Sequence, residues 1–196
     1  MDLGPELFDL LNAQRRKVGN PPVLYGAPGL SAMDIASIET ALGFRLPPDF
    51  VYLFQNLQDP GGVFFPWQNF DKRRYDESIA WVLHGIEFDI EHNGFWLERW
   101  GDKAQDLPAA VDIARRDFPA WPKLLPIFGH RFLAAEPCRG GNPVFSIMQT
   151  DIIYYGADLA HYLLHEFTPS GDRKDYLRHT YDQQIRRIDV WSDLAS

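Results

Sequence analysis

Apolar positions recur along this chain in two rhythms, one helical and one extended, and the change between them organises it. Leu3, Leu7, Leu10 and Leu11 fall on one face of a helix over Leu3 to Lys17, with Arg15, Arg16 and Lys17 near its negative end. The stretch Gly19 to Gly29, which carries Pro21, Pro22, Gly26 and Pro28, breaks that period and reads as a loop or extended strap. A second helix opens at Ser31, where Asp34 three residues on makes a capping box. Ile35, Ile38 and Leu42 line its face, and Gly43 stops it. Pro47 keeps the chain extended and Pro48 suits the first position of a third helix, carrying Phe50, Leu53, Phe54 and Leu57. The turn Asp59-Pro60-Gly61-Gly62 follows, and Val63 to Phe65 is expected to form the first strand.

From Asp71 to Trp121 the helical rhythm returns. Ile79, Val82, Leu83, Ile86 and Ile90 share one face of a helix starting near Tyr75 or Asp76 and ended by Asn93 and Gly94. Phe95, Trp96, Leu97 and Trp100 are too aromatic for a solvated loop and are expected to fold back as a lid on the core. A further helix carries Leu107, Val111, Ala114 and Phe118. The extended rhythm then takes over, with runs at Leu124 to Phe128, Phe132 to Ala135, Val144 to Met148 and Ile152 to Tyr155. Gly129, the cluster Pro137 to Pro143, and Gly156 punctuate them. The economical reading is an antiparallel meander closing onto a helix that holds Leu159 and Leu163. Beyond lie a polar turn at Thr168 to Asp172, a helical piece through Tyr176, Leu177 and Tyr181, and a tail that Ile188, Val190 and Trp191 could anchor.

Composition narrows the class. A chain of 196 residues, 45% hydrophobic and 14% aromatic, is long enough for one domain with a substantial core. Its formal charge of −8, from 27 acidic against 19 basic residues, argues against general nucleic-acid binding and favours a basic partner. The single cysteine, Cys138, excludes an internal disulfide. The first residues lack the basic and apolar regions of a signal peptide, and no apolar run approaches the roughly 18 residues of a membrane span. The expectation is a soluble, cytoplasmic protein with no membrane partner.

Each chemical signal has a plainer counterpart. Asp158, His161 and His165 stand at i, i+3 and i+7, so on a helix they share a face from which two imidazoles can reach one transition metal. Against this, Tyr162 occupies the place of the glutamate in the metalloprotease pattern, and the face opposite Leu159 and Leu163 suits solvent. Cys138 and His130 could meet across the hairpin as nucleophile and base, yet no orienting acid or oxyanion site accompanies them. Gly140 and Gly141 lack the Gly-Lys-Ser/Thr of a phosphate loop. His130, Arg131 and Glu136 read as an internal ion pair or hydrogen-bond set holding the hairpin. The acidic residues Glu87, Asp89, Glu91, Glu98 and Asp102, with Trp96 and Trp100, form a candidate partner-binding set. As a group they supply charge to steer an encounter and rings to anchor it, whereas any one of them alone reads as part of a solvated face.

The run Gly29-Leu30-Ser31, Ile35, Ile38-Glu39, Leu42-Gly43, Leu46-Pro47-Pro48-Asp49-Phe50, Leu53 and Gly61-Gly62 resembles the start of the SUKH superfamily, named for the Smi and Knr type proteins. Leu125-Pro126-Ile127, Asn142-Pro143-Val144-Phe145 and Asp151-Ile152-Ile153-Tyr154, with the helix around Leu159 and Leu163, are similar to that family's strand core. The likeness covers about residues 29–66 and 123–167 of a single domain over 1–196, leaving the N-terminal helix 3–17 and the helical insertion 71–121 as elaborations. It implies an α+β fold, a mainly antiparallel β-sheet flanked by α-helices. It also implies a non-enzymatic protein-binding role, as in bacterial immunity proteins that neutralise a cognate toxin. No cofactor or metal is expected, the partner is expected to be a basic toxin domain, and the chain is expected to be a monomer or weak homodimer. The competing readings are a regulatory module with a cellular partner, and a small metal-dependent or cysteine hydrolase using His161, His165 or Cys138.

Overall fold

The computed structural model describes residues 3–17, 19, 22–26, 28–167 and 184–195. The polar turn and helical piece expected between Thr168 and Tyr181 lie outside them. Its elements in chain order are α1 (Pro5–Lys17), β1 (Leu24–Tyr25), α2 (Ala32–Leu42), α3 (Pro48–Gln55), β2 (Leu57–Gln58) and α4 (Lys72–His92). After these come α5 (Leu107–Asp117), β3 (Leu124–Phe128), β4 (Arg131–Ala134), β5 (Val144–Met148), β6 (Asp151–Gly156) and α6 (Leu159–Phe167), with a last helical turn at Trp191–Leu194. The fold is α+β, as the resemblance implied.

Local chemistry sets the helix ends. The Asp34 backbone N–H donates to the Ser31 hydroxyl at 3.1 Å and the Ser31 N–H to the Asp34 carboxylate at 2.8 Å, the capping box read from the sequence. Gly43 closes α2 at φ 77°, where a side chain would be strained. Pro48 takes the first position of α3. The long helix α4 starts at Lys72, earlier than its apolar period indicates, because the Asp71 carboxylate caps the Arg73 N–H at 2.9 Å.

Strands β3 to β6 form an antiparallel meander in sequence order, with Leu125 opposite Leu133, Phe132 opposite Phe145, and Ile147 opposite Ile152. Alternation along the strands sends Leu125, Ile127, Leu133 and Val144 to one face, where they join buried residues of α1, α2, α3 and α6. Leu124, Phe132, Phe145, Ile147 and Ile152 point to the other, where Val82, Ile86 and Ile90 of α4, Val111 and Ala114 of α5, and Ile188, Val190 and Trp191 complete a second core. Cover on both faces explains why the strands read as almost continuous apolar runs. The 71–121 section therefore supplies one of the two helical layers.

One strand expectation fails. Val63 to Phe65 joins no ladder, and only the Phe65 N–H reaches the sheet, donating to the Ile127 carbonyl at 2.8 Å. Pro66 has no N–H to continue the pairing, and the Phe64 N–H is taken by the Asp59 carboxylate at 2.7 Å. Further along that edge the Trp67 indole donates to the Pro126 carbonyl at 3.0 Å and the Tyr75 hydroxyl to that of Leu124 at 3.0 Å. The short strand in this part of the chain is β2 instead, which pairs with β1.

Candidate functional site

The two stretches 29–66 and 123–167 meet in space. The Gly141 N–H donates to Asp49 at 2.9 Å, and the Cys138 thiol lies 3.4 Å from the Leu46 carbonyl, so the Leu46-Pro47-Pro48-Asp49 corner rests on the loop before β5. Burial pushes the Asp49 carboxyl upward despite the N–H donors of Gly141 and Phe50. Asn142, fully buried, donates to the carbonyls of Ala134 and Pro137 at 2.8 Å each and accepts from Arg186 at 2.5 Å. Gly61 and Gly62 form the turn after β2, Asp151 is exposed at the start of β6, and the Tyr154 ring lies 5.2 Å from that of Phe145.

The histidine face of α6 is engaged with backbone. The Asp158 carboxylate accepts the His161 N–H at 2.7 Å, the Ala157 N–H donates to His161 Nδ1 at 2.9 Å, and His165 Nδ1 lies 3.0 Å from the Tyr155 carbonyl. An accepting Nδ1 puts the His161 proton on Nε2, which is buried and has no hydrogen-bond partner among the described residues. Both rings are half-buried, so the expectation of a solvated face is corrected. Gly156 lets α6 press directly on β6, since a Cβ there would lie 2.5 Å from that of Tyr162. Burial, with a further contribution from His165, lowers the His161 pKa against the pull of Asp158. Among the described residues no group of three or more His, Cys, Asp or Glu side chains could hold a metal ion.

Two other sequence expectations are corrected by topology. His130 sits in the β3–β4 turn and Cys138 beyond the far end of β4, so the strand separates them and they do not meet as nucleophile and base. Arg131 pairs with Glu166 at 3.2 Å rather than with Glu136, donates to Ser146 at 2.9 Å, and stacks its guanidinium 3.7 Å from the Tyr155 ring centroid. Glu136 instead accepts the Lys123 N–H at 3.0 Å.

The acidic and aromatic set divides. Asp89 is only 4% exposed, and its carboxylate accepts the Thr150 N–H at 2.8 Å, the Thr150 hydroxyl at 2.6 Å and the Asn93 amide at 2.5 Å. It tethers α4 to the β5–β6 turn and is withdrawn from any contact surface. Burial pushes its carboxyl up, but those hydrogen bonds outweigh that and hold its pKa below the usual range. Glu87 is bound to Arg115 of α5 at 2.7 Å. The Trp100 indole donates to Asp117 at 2.8 Å, and so does that of Trp121 at 2.8 Å.

Glu91, Glu98 and Asp102 stay exposed, and Trp96 half-exposed. Phe95, Trp96 and Leu97 do fold back on the second core, and with Val190 and Leu194 they floor an open trench of about 510 Å³. Glu98, Arg99 and Asp193 stand along it. Arg99 faces Asp189 at 3.4 Å and Asp193 pairs with Arg187, while Glu98 has no cationic partner among the described residues. Sequence reasoning missed Asp117, whose position as acceptor for two indoles needs the fold, and missed Val190 and Leu194 as trench floor.

No family model, curated protein or solved structure matches the chain. Among the described residues no helix is long and apolar enough to cross a membrane.

Proposed function

We propose that this protein acts by binding another protein, and that its partner is a cationic toxin domain whose active site it covers. The observation that carries the reading is the trench floored by Phe95, Trp96, Leu97, Val190 and Leu194, with the Glu98 carboxylate, which has no cationic partner among the described residues, at its side. A concave apolar surface beside an uncompensated acid fits an apolar side chain flanked by Lys or Arg. The chain's −8 charge would speed encounter with such a surface. The immunity role rests on the resemblance to SUKH domains, and a nuclease is the toxin class whose basic substrate cleft this charge suits. Cytoplasmic residence belongs to the same reading. The histidines that would serve a hydrolase are spent on the backbone of the β6–α6 junction, which favours a structural role for them.

Co-expression with the protein encoded immediately upstream, if that protein arrests growth when expressed alone, tests the proposal. Growth should be restored by the unaltered chain and restored less by Trp96→Ala combined with Glu98→Lys, at an amount of folded protein matched to the unaltered chain because Trp96 is only half-exposed and packs on the second core. Undiminished growth arrest with the unaltered chain, or full rescue by the double variant, would count against it.

A further inference from the structure

Helix α6 is docked with hydrogen bonds left unmade. Two of its buried polar atoms, His161 Nε2 and the Tyr162 hydroxyl oxygen, have no hydrogen-bond partner among the described residues. Water would satisfy both if the helix lifted, so their desolvation works against docking, and the burial of Leu159, Leu163 and Leu164 in the first core holds the helix down. At its start the helix is fastened through a lone pair. The Ala157 N–H donates to His161 Nδ1 at 2.9 Å, beside the Asp158 carboxylate that accepts the His161 N–H at 2.7 Å.

The neighbouring imidazole is built the other way. The Tyr155 carbonyl can only accept, so His165, whose Nδ1 lies 3.0 Å from it, carries its proton on Nδ1 and keeps the Nε2 lone pair. The two rings lie nearly parallel, with centroids 6.3 Å apart and 15° between their planes, yet they are opposite tautomers. A second proton on His165 enters at Nε2 and leaves its hydrogen bond standing. A second proton on His161 enters at Nδ1, where it meets the Ala157 N–H as donor against donor, and that bond is lost.

The charged groups around this junction act as follows. On α6 itself Asp158 favours protonation of His161 and His165 opposes it, while Glu166 pairs with Arg131 of β4 at 3.2 Å. Asp49 of α3 acts on Asp158 from across the loop. β6 presents the Tyr155 ring, centred 4.4 Å from that of His165. α1 packs along α6, but its Glu6, Asp9, Arg16 and Lys17 are exposed and its Arg15 faces Asp59. We infer that α6 is an acid-released element: a proton on His161 Nδ1 breaks the bond to Ala157 and frees the helix from β6 while the second core stays folded. No residue of α6 belongs to that core, so the trench is left in place and the release does not depend on what the trench binds.

The test is NMR on the whole protein from about pH 7.5 to about pH 5, either side of the ordinary imidazole value. At the upper pH the imidazole nitrogen shifts should place the His161 proton on Nε2 and the His165 proton on Nδ1. On acidification, amide-exchange protection, corrected for the intrinsic rate at each pH, should fall about tenfold at Ala157, Leu163 and Leu164 and hold at Ile86 and Ile90 of α4. The midpoint of that fall should coincide with the titration of His161 itself. His161→Asn keeps an acceptor for Ala157 and carries no charge, so it should retain the protection at the lower pH. A His161 proton found on Nδ1 at the upper pH, protection lost equally in α4 or not lost at all, a midpoint that follows His165, or a loss that persists in His161→Asn would overturn the inference. Should His161→Asn fail to fold, the midpoint comparison in the unaltered chain decides alone.

Discussion

Gly85 of α4 and Gln149 of the β5–β6 turn touch backbone to backbone: a Cβ on Gly85 would lie 2.8 Å from the Gln149 Cα. This contact explains a glycine in the middle of a long helix, where alanine would otherwise be favoured by about 1 kcal/mol. Gly85→Ala is expected to destabilise the fold by about 1–3 kcal/mol, because a turn held at φ 58° has little room to retreat. Urea unfolding measures it, and a stabilised variant would show that the turn moves freely.

Asp89 secures the same turn from one helical turn further on. In Asp89→Asn, one carboxylate oxygen becomes an NH₂ facing the Thr150 donors or the Asn93 amide, so a buried donor loses its acceptor. The expected cost is about 1–3 kcal/mol, with amide exchange faster at Thr150 than at α6. Equal exchange rates in variant and parent would argue that the tether is dispensable.

Asp117 accepts from the indoles of Trp100 and Trp121, and Trp121 is buried. Removing the acceptor in Asp117→Ala leaves both N–H groups unpaired and should cost about 2–4 kcal/mol. Tryptophan emission should change with it, since the Trp100 and Trp121 rings lie 6.4 Å apart over this carboxylate. Asp117→Asn, which keeps one acceptor, should recover part of the loss.

Acid sensitivity should come in two steps. Burial holds the His161 pKa below the ordinary imidazole value, so the unfolded chain binds that proton more readily. The associated stability is therefore complete above about pH 6.5 and declines as pH falls below it. His130, lowered by burial and by Arg131, contributes in the same direction. Asp89, whose folded pKa is depressed, adds a loss beginning only below about pH 3.9. His161→Asn keeps an acceptor for the Ala157 N–H and should flatten the upper step while leaving the lower one. A stability curve rising toward acid between pH 6.5 and 5 would contradict both histidine assignments.

The meander was legible because each of its strands is short, apolar and bounded by Gly, Pro or Asp, and the α2 boundaries because Ser31, Asp34 and Gly43 act on their own neighbours. The partners of Arg131, Asp89 and Asp117 were not legible, since Glu166, Thr150 and Trp100 are brought to them by the tertiary fold. Charge counting placed Asp89 at the surface because its acceptor role depends on Thr150, 61 residues away.

The outer edge of β3 has a consequence for recognition. Its carbonyls at Leu124, Pro126 and Ile127 are already taken by the Tyr75 hydroxyl, the Trp67 indole and the Phe65 N–H. A visiting strand would find no row of free acceptors there, so sheet extension at β3 is closed both to a partner and to another copy of the chain. Whatever docks on that side must be selected by side-chain shape and charge on helices and turns, a vocabulary that point substitutions can rewrite without disturbing the ladder beneath.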